Sequence, residues 1–173
     1  MAIVTSPASR LNEAKMSEPF SACEEKKIEE LERALMDRKI PYARMARVYA
    51  KFLLALISGE NFDRKLTRSS ELIAVTRSLQ SAIKGFDGGA SGDLRQPYRV
   101  ELIGISGRVE ESQPALAALI RCAVCCFFVD EEWDPDLEED STPIPRYLFL
   151  LKKFDSSMEM EFLTYASTYL LSA

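Results

Sequence analysis

The sequence predicts an α+β protein, a small antiparallel sheet packed against amphipathic helices and preceded by a flexible amino-terminal arm. Three observations carry this expectation. Leu72, Val75, Thr76, Leu79, Ala82 and Ile83 recur at the spacing of one helix face. Tyr98–Ile105 alternates instead: Tyr98, Val100, Leu102 and Gly104 point one way and Arg99, Glu101, Ile103 and Ile105 the other, the period of a strand. Residues 1–20, rich in Ser, Ala and Pro, follow neither period and read as an arm.

Residues 21–41 form an amphipathic helix that could serve as an assembly element, and 42–173 a compact core. Ser21 and Glu24 stand at capping-box spacing. Ile28, Leu31, Ala34 and Leu35 make a narrow apolar stripe that needs something to dock on, the domain itself or a neighbouring copy, and Pro41 ends the helix. Next, Tyr42, Met45, Ala46, Tyr49, Phe52, Leu53, Leu56 and Ile57 fall at helical spacing, with Arg44, Arg47 and Lys51 opposite. Phe52–Ile57 is also a short, wholly apolar run of the kind a buried strand uses, so both assignments stay open on periodicity alone.

Thr67 or Ser69 caps the following helix and Gly85 closes it. Gly88, Gly89 and Gly92 then form a surface loop; as a phosphate cradle it lacks a preceding strand and a Lys-Ser or Lys-Thr partner. Ser112 and Pro114 start a helix with apolar positions Leu116, Leu119, Ile120, Ala123, Val124, Phe127 and Phe128, and the strand-like composition of AVCCFFV leaves its end open to an extended conformation. PIPRYLFLLKKF reads as a strand. Ser156 and Glu159 form a second capping box, before a helix that buries Phe162, Leu163, Ala166, Tyr169 and Leu170.

No catalytic constellation emerges. The chain has no histidine, the commonest general base and metal ligand. Cys122, Cys125 and Cys126 lack a second ligand pair for zinc and read as buried small hydrophobes. Glu101, Asp130 and Glu131 have no convergent nucleophile or base. No enzyme activity, cofactor or metal is expected. No window has signal-peptide form, and Pro114–Val129, the most apolar stretch, is 16 residues long and carries Arg121, too short and polar to span a bilayer. Charge is segregated. The net −5 includes eight acids in Asp130–Asp140, whose removal leaves 22 basic against 19 acidic residues; Arg38–Lys51 holds five bases and no acid. Such polarity suits head-to-tail association or two different partners.

The run RVYAKFLLALISGENFDRKLTRSSELIAV, the glycine loop and QPYRVELIGISG together resemble the core of rhabdovirus matrix proteins, with a length suited to a plant-infecting, cytorhabdovirus-like member. PIPRYLFLLKKF is similar to a segment of the related bornavirus matrix protein. The likeness covers Arg47–Gly107 and, weakly, Pro143–Leu171. It implies a strand at Phe52–Ile57, with Tyr42–Tyr49 helical before it. It also implies a non-enzymatic structural protein that self-associates, condenses the helical nucleocapsid and lies beneath the viral envelope or in the host cytoplasm. The partners implied are the nucleoprotein–RNA complex, an anionic membrane surface and a glycoprotein tail. Membrane or nucleocapsid contact falls to Arg44, Arg47, Lys51, Arg64, Lys65 and Arg68, and self-association to Ile28, Leu31, Leu35, Gly88 and Gly89. Two departures stand out: only Pro41-Tyr42 remains of a Pro-Pro-x-Tyr motif, and the arm is nearly uncharged. Direct RNA binding has no recognisable motif behind it. The alternative is an accessory interaction domain, viral or host, that recognises a partner through the Ser21–Ile40 helix.

Overall fold

Every regular element is helical in the computed structural model, which describes residues 20–60, 62, 66, 69–85, 95–128 and 142–172. The elements are α1 (Ala22–Asp37), α2 (Tyr42–Ser58), α3 (Ser70–Gly85), α4 (Gln96–Val109), α5 (Pro114–Val124) with a 3-10 turn at Cys125–Phe127, α6 (Ile144–Phe154) and α7 (Met158–Leu171). The expected α+β architecture is therefore wrong: among the described residues there is no strand. The arm up to residue 19, the glycine loop with Gly88 and Gly89, and the acidic run lie outside the described residues.

Each misassigned strand has a physical reason to be helix. Tyr98–Ile105 alternates only within its own window. Extended to Val109, the inward positions are Tyr98, Leu102, Ile105 and Val109, a helical series, and the last three are buried. Pro97 sits in the first turn of α4, where its missing N–H has no partner to lose. In α6, Ile144, Tyr147, Leu148 and Leu151 are buried at i, i+3, i+4 and i+7, again after an initial proline. Phe52–Ile57 continues α2 without a break; Phe52, Leu53 and Ile57 share the buried face with Met45 and Tyr49. The AVCCFFV segment completes α5 and then tightens into the 3-10 turn.

Several local expectations hold. Ser21 Oγ accepts from the Glu24 N–H at 3.3 Å, and the Glu24 carboxylate accepts from the Ser21 N–H at 2.7 Å. Ser69 Oγ accepts from the Leu72 N–H at 3.1 Å, starting α3. The second capping box does not form. Asp155 Oδ1 instead accepts from the N–H and hydroxyl of Ser157, while Glu159 is buried; Tyr169 is exposed. The first helix ends before Pro41, in a Schellman motif: Ile40 N–H bonds Leu35 C=O, Lys39 N–H bonds Met36 C=O, and Lys39 takes φ 51°.

The core is organised on α2, α5 and α6. Eight of the eleven α5 residues are buried, including Leu116, Leu119 and Ile120, so this helix reads as apolar nearly all round. Tyr49 of α2 stacks on Tyr147 of α6, centroids 4.0 Å apart and 8° from parallel, and both rings meet Phe162 of α7 edge-on. Helix α1 lies against α6 and α7, and α4 packs along α5.

Candidate functional site: an arginine–aromatic pocket

One end of this core opens into a pocket of about 250 Å³ lined by Tyr42, Arg99, Cys125, Phe128, Pro143, Arg146 and Tyr147. Tyr42 is the first residue of α2, Arg99 stands in the first turn of α4, and Pro143, Arg146 and Tyr147 belong to the start of α6. Three helix N-termini thus meet here, each the positive end of a backbone dipole. The first turns of these three helices contain no acid. By contrast α1, α3 and α7 carry Glu24 and Glu25, Glu71, and Glu159 and Glu161 in theirs.

Phe128 is the platform of the site. The Arg99 guanidinium lies 4.4 Å from its ring centroid and that of Arg146 5.1 Å, so one aromatic ring gathers two like charges. Arg95 Nη1 donates to the Phe128 carbonyl at 3.2 Å, and Phe127 stacks on Tyr98. Behind the arginines, Tyr42 Oη donates to the Cys125 carbonyl at 3.2 Å. Tyr147 is 1% exposed, and no group meets its buried hydroxyl in good hydrogen-bond geometry, although the Tyr42 hydroxyl lies close enough to interact with it. Its backbone carbonyl accepts from Tyr49 Oη at 3.1 Å.

Burial pushes the Cys125 thiol up to about 11, although Arg146 and Arg99 pull it down, so at neutral pH it is not a thiolate nucleophile. Burial pushes Cys122 up to about 12 and also raises Cys126. Among the described residues no group of three or more His, Cys, Asp or Glu gathers to hold a metal ion, and no helix is long and apolar enough to cross a membrane.

The residues singled out in the sequence lie elsewhere. Arg44, Arg47 and Lys51 share one side of α2, but Arg44 Nη2 donates to the carbonyls of Tyr169 and Ser172 at 3.4 and 3.3 Å. It therefore caps the C-terminus of α7, as Arg38 does by donating to the Leu171 carbonyl. Arg47 is half-buried and Lys51 exposed. Ile28, Leu31 and Leu35 are buried at 6%, 2% and 2% exposure, so the α1 stripe docks on its own domain. Arg64, Lys65, Arg68, Gly88 and Gly89 fall outside the described residues. Sequence reasoning missed Arg95, Arg99 and Arg146. The first two stand at i, i+4 spacing, a signal visible only once Gln96–Val109 is read as helix.

No protein-family model, curated protein or solved structure matches the chain.

Proposed function

We propose that the chain is a non-enzymatic association protein whose arginine–aromatic pocket holds an acidic segment of a partner protein. The observation that carries this is the pair of guanidiniums gathered on the Phe128 ring in one small pocket, where the first turns of three helices hold no acid. A carboxylate suits this lining. It accepts two parallel hydrogen bonds from a guanidinium, accepts one from a phenol, and carries the charge that three helix N-termini favour.

A matrix-protein role in that form has lost its main structural support. It rested on a helix–loop–strand order, and the last member is helix α4. What is retained is its coarse content, a protein that works by association. Recognition through α1 is not retained either, because its apolar stripe is consumed inside the fold.

The sequence itself contains a segment of the right chemistry, Asp130–Asp140, so a second copy is one suitable partner. Phe128 and Pro143, which line the pocket, flank this run in the sequence, so carboxylates of the run would compete with an external ligand by tethering. The test uses a fluorescein-labelled peptide, DEEWDPDLEED, titrated with two proteins: the native chain and one whose eight acids in this run are Asn or Gln. Fluorescence anisotropy should show binding that is tighter to the neutralised protein and weakens with salt. Arg99→Glu with Arg146→Glu should weaken it at least about tenfold, roughly 1.4 kcal/mol. Absence of binding to both proteins, or equal binding to the arginine variant, overturns the proposal. Equal competition by inorganic phosphate would redirect it to phosphorylated partners.

A further inference from the structure

We propose that a second site, a groove at the opposite end of the core, docks a basic amphipathic helix of a partner protein. The groove has a volume of about 540 Å³. Its apolar floor is formed by Phe52, Leu56, Phe62, Phe154, Met158 and Tyr165. The rings are braced: Phe62 stacks on Phe154 at 6.0 Å, and Phe52 meets Tyr165 edge-on at 5.4 Å. Met158 supplies the adaptable side chain that helix-binding grooves use.

Shape and charge select the occupant. The walls are the last two turns of α2, Phe52–Gly59, and the first two turns of α7, Met158–Tyr165. Each wall is about 10 Å long at 1.5 Å per residue, the length that two turns of a docked helix cover with anchors at i, i+3 or i+4, and i+7. The helices α2 and α6 end at the groove while α5 and α7 begin there, so backbone dipoles of both signs meet and offset one another. The sign is set by side chains. Glu60, Asp155 and Glu161 line the groove, and no Lys or Arg does so among the described residues. Asp155 is engaged by Ser157, leaving the exposed Glu60 and Glu161 to face a partner's cations.

The probe is a labelled amphipathic peptide of leucines and lysines at helical spacing, with a leucine–glutamate version as its opposite. The leucine–lysine peptide should bind the full-length chain and gain helicity by circular dichroism; the leucine–glutamate peptide should not. Ala115→Trp, at an exposed lining position, should fill the groove and abolish binding. Glu60→Lys with Glu161→Lys should weaken it at least about tenfold. Glu29→Lys with Glu30→Lys changes net charge equally on the exposed side of α1 and should leave it unchanged. Equal loss in the α1 variant would mean attraction to overall charge and would overturn the proposal. So would undiminished binding to the Ala115→Trp protein. Saturation by a non-ionic detergent monomer that displaces the peptide, with no effect of the glutamate reversals, would replace the helix with an apolar small molecule. These residues are separate from Arg99 and Arg146, so either proposal can fail alone.

Discussion

The two ends of the α2–α5–α6 core make opposite use of the same helices. Tyr42 at the start of α2 and Arg146 at the start of α6 line the arginine pocket, whereas Phe52–Gly59 and Phe154 near the ends of these helices line the apolar groove. The buried helix α5 runs back, from Ala115 at the groove to Cys125 just beyond its end at the pocket. Counted along α2, the two sites are roughly 15–25 Å apart. At the pocket, three helix N-termini and two arginines share one sign, and a small, partly buried site concentrates it. At the groove, helix ends of both signs meet, so apolar area dominates and carboxylates set only the preference. The difference teaches that helix direction, as much as side-chain composition, sets the sign of the charge at each end of a bundle.

The largest effect expected from breaking this contrast is a pH response confined to the groove end. Glu159, in the first turn of α7 and 2% exposed, has its carboxyl pushed up to about 7 by burial, reinforced by Glu24 of α1 and opposed by Lys152 of α6, 3.7 Å away. Between about 4.5, its ordinary value, and about 7, the folded chain retains a proton that the unfolded chain releases, so stability falls as pH rises through this window. Glu24, held low chiefly by the Ser21 N–H bond, acts in the opposite sense and at lower pH. Urea unfolding should show a loss on the order of 2–3 kcal/mol between pH 4.5 and 7.5 that Glu159→Gln flattens. Hydrogen exchange should quicken at the first turns of α1 and α7 but not at those of α4 and α6.

A smaller effect separates the two stacked tyrosines. Tyr49→Phe removes the bond to the Tyr147 carbonyl and should cost about 1 kcal/mol in thermal unfolding. Tyr147→Phe removes a hydroxyl that has no partner in good geometry, only the nearby Tyr42 hydroxyl, so it should cost less than Tyr49→Phe while affinity for the acidic peptide drops. If Tyr147→Phe destabilises as much as Tyr49→Phe, the hydroxyl is structural and the pocket loses a ligand. Smallest is Gly107→Ala on the exposed side of α4, where an added Cβ meets nothing within 4 Å. It should stabilise by about 0.5–1 kcal/mol without moving either affinity, because glycine is a poor residue inside a helix.

Most of the core was legible in the sequence and the architecture was not. The apolar faces of α2, α3 and α5 are the buried faces, because each repeats for long enough to fix a period. The error lay in short windows. Eight residues from Tyr98 contain both a period of two and a period near 3.6, and only Val109, beyond the window, decides between them. Pro97 and Pro143 each open a strand or a helix equally well in the abstract. The charged sites were harder to see for a tertiary reason. Arg99 and Arg146 are 47 positions apart and meet only because two helix starts converge on Phe128, whereas the conspicuous basic run around Arg44 supplies caps for α1's neighbour, α7.

A two-peptide competition on the native chain and on the two charge-reversed proteins tests the claim of two separate, oppositely charged sites most directly. The acidic peptide should lose affinity only in the Arg99→Glu, Arg146→Glu protein, the leucine–lysine peptide only in the Glu60→Lys, Glu161→Lys protein, and neither should displace the other from the native chain. Mutual displacement, or one variant weakening both peptides while circular dichroism shows it folded, would contradict it.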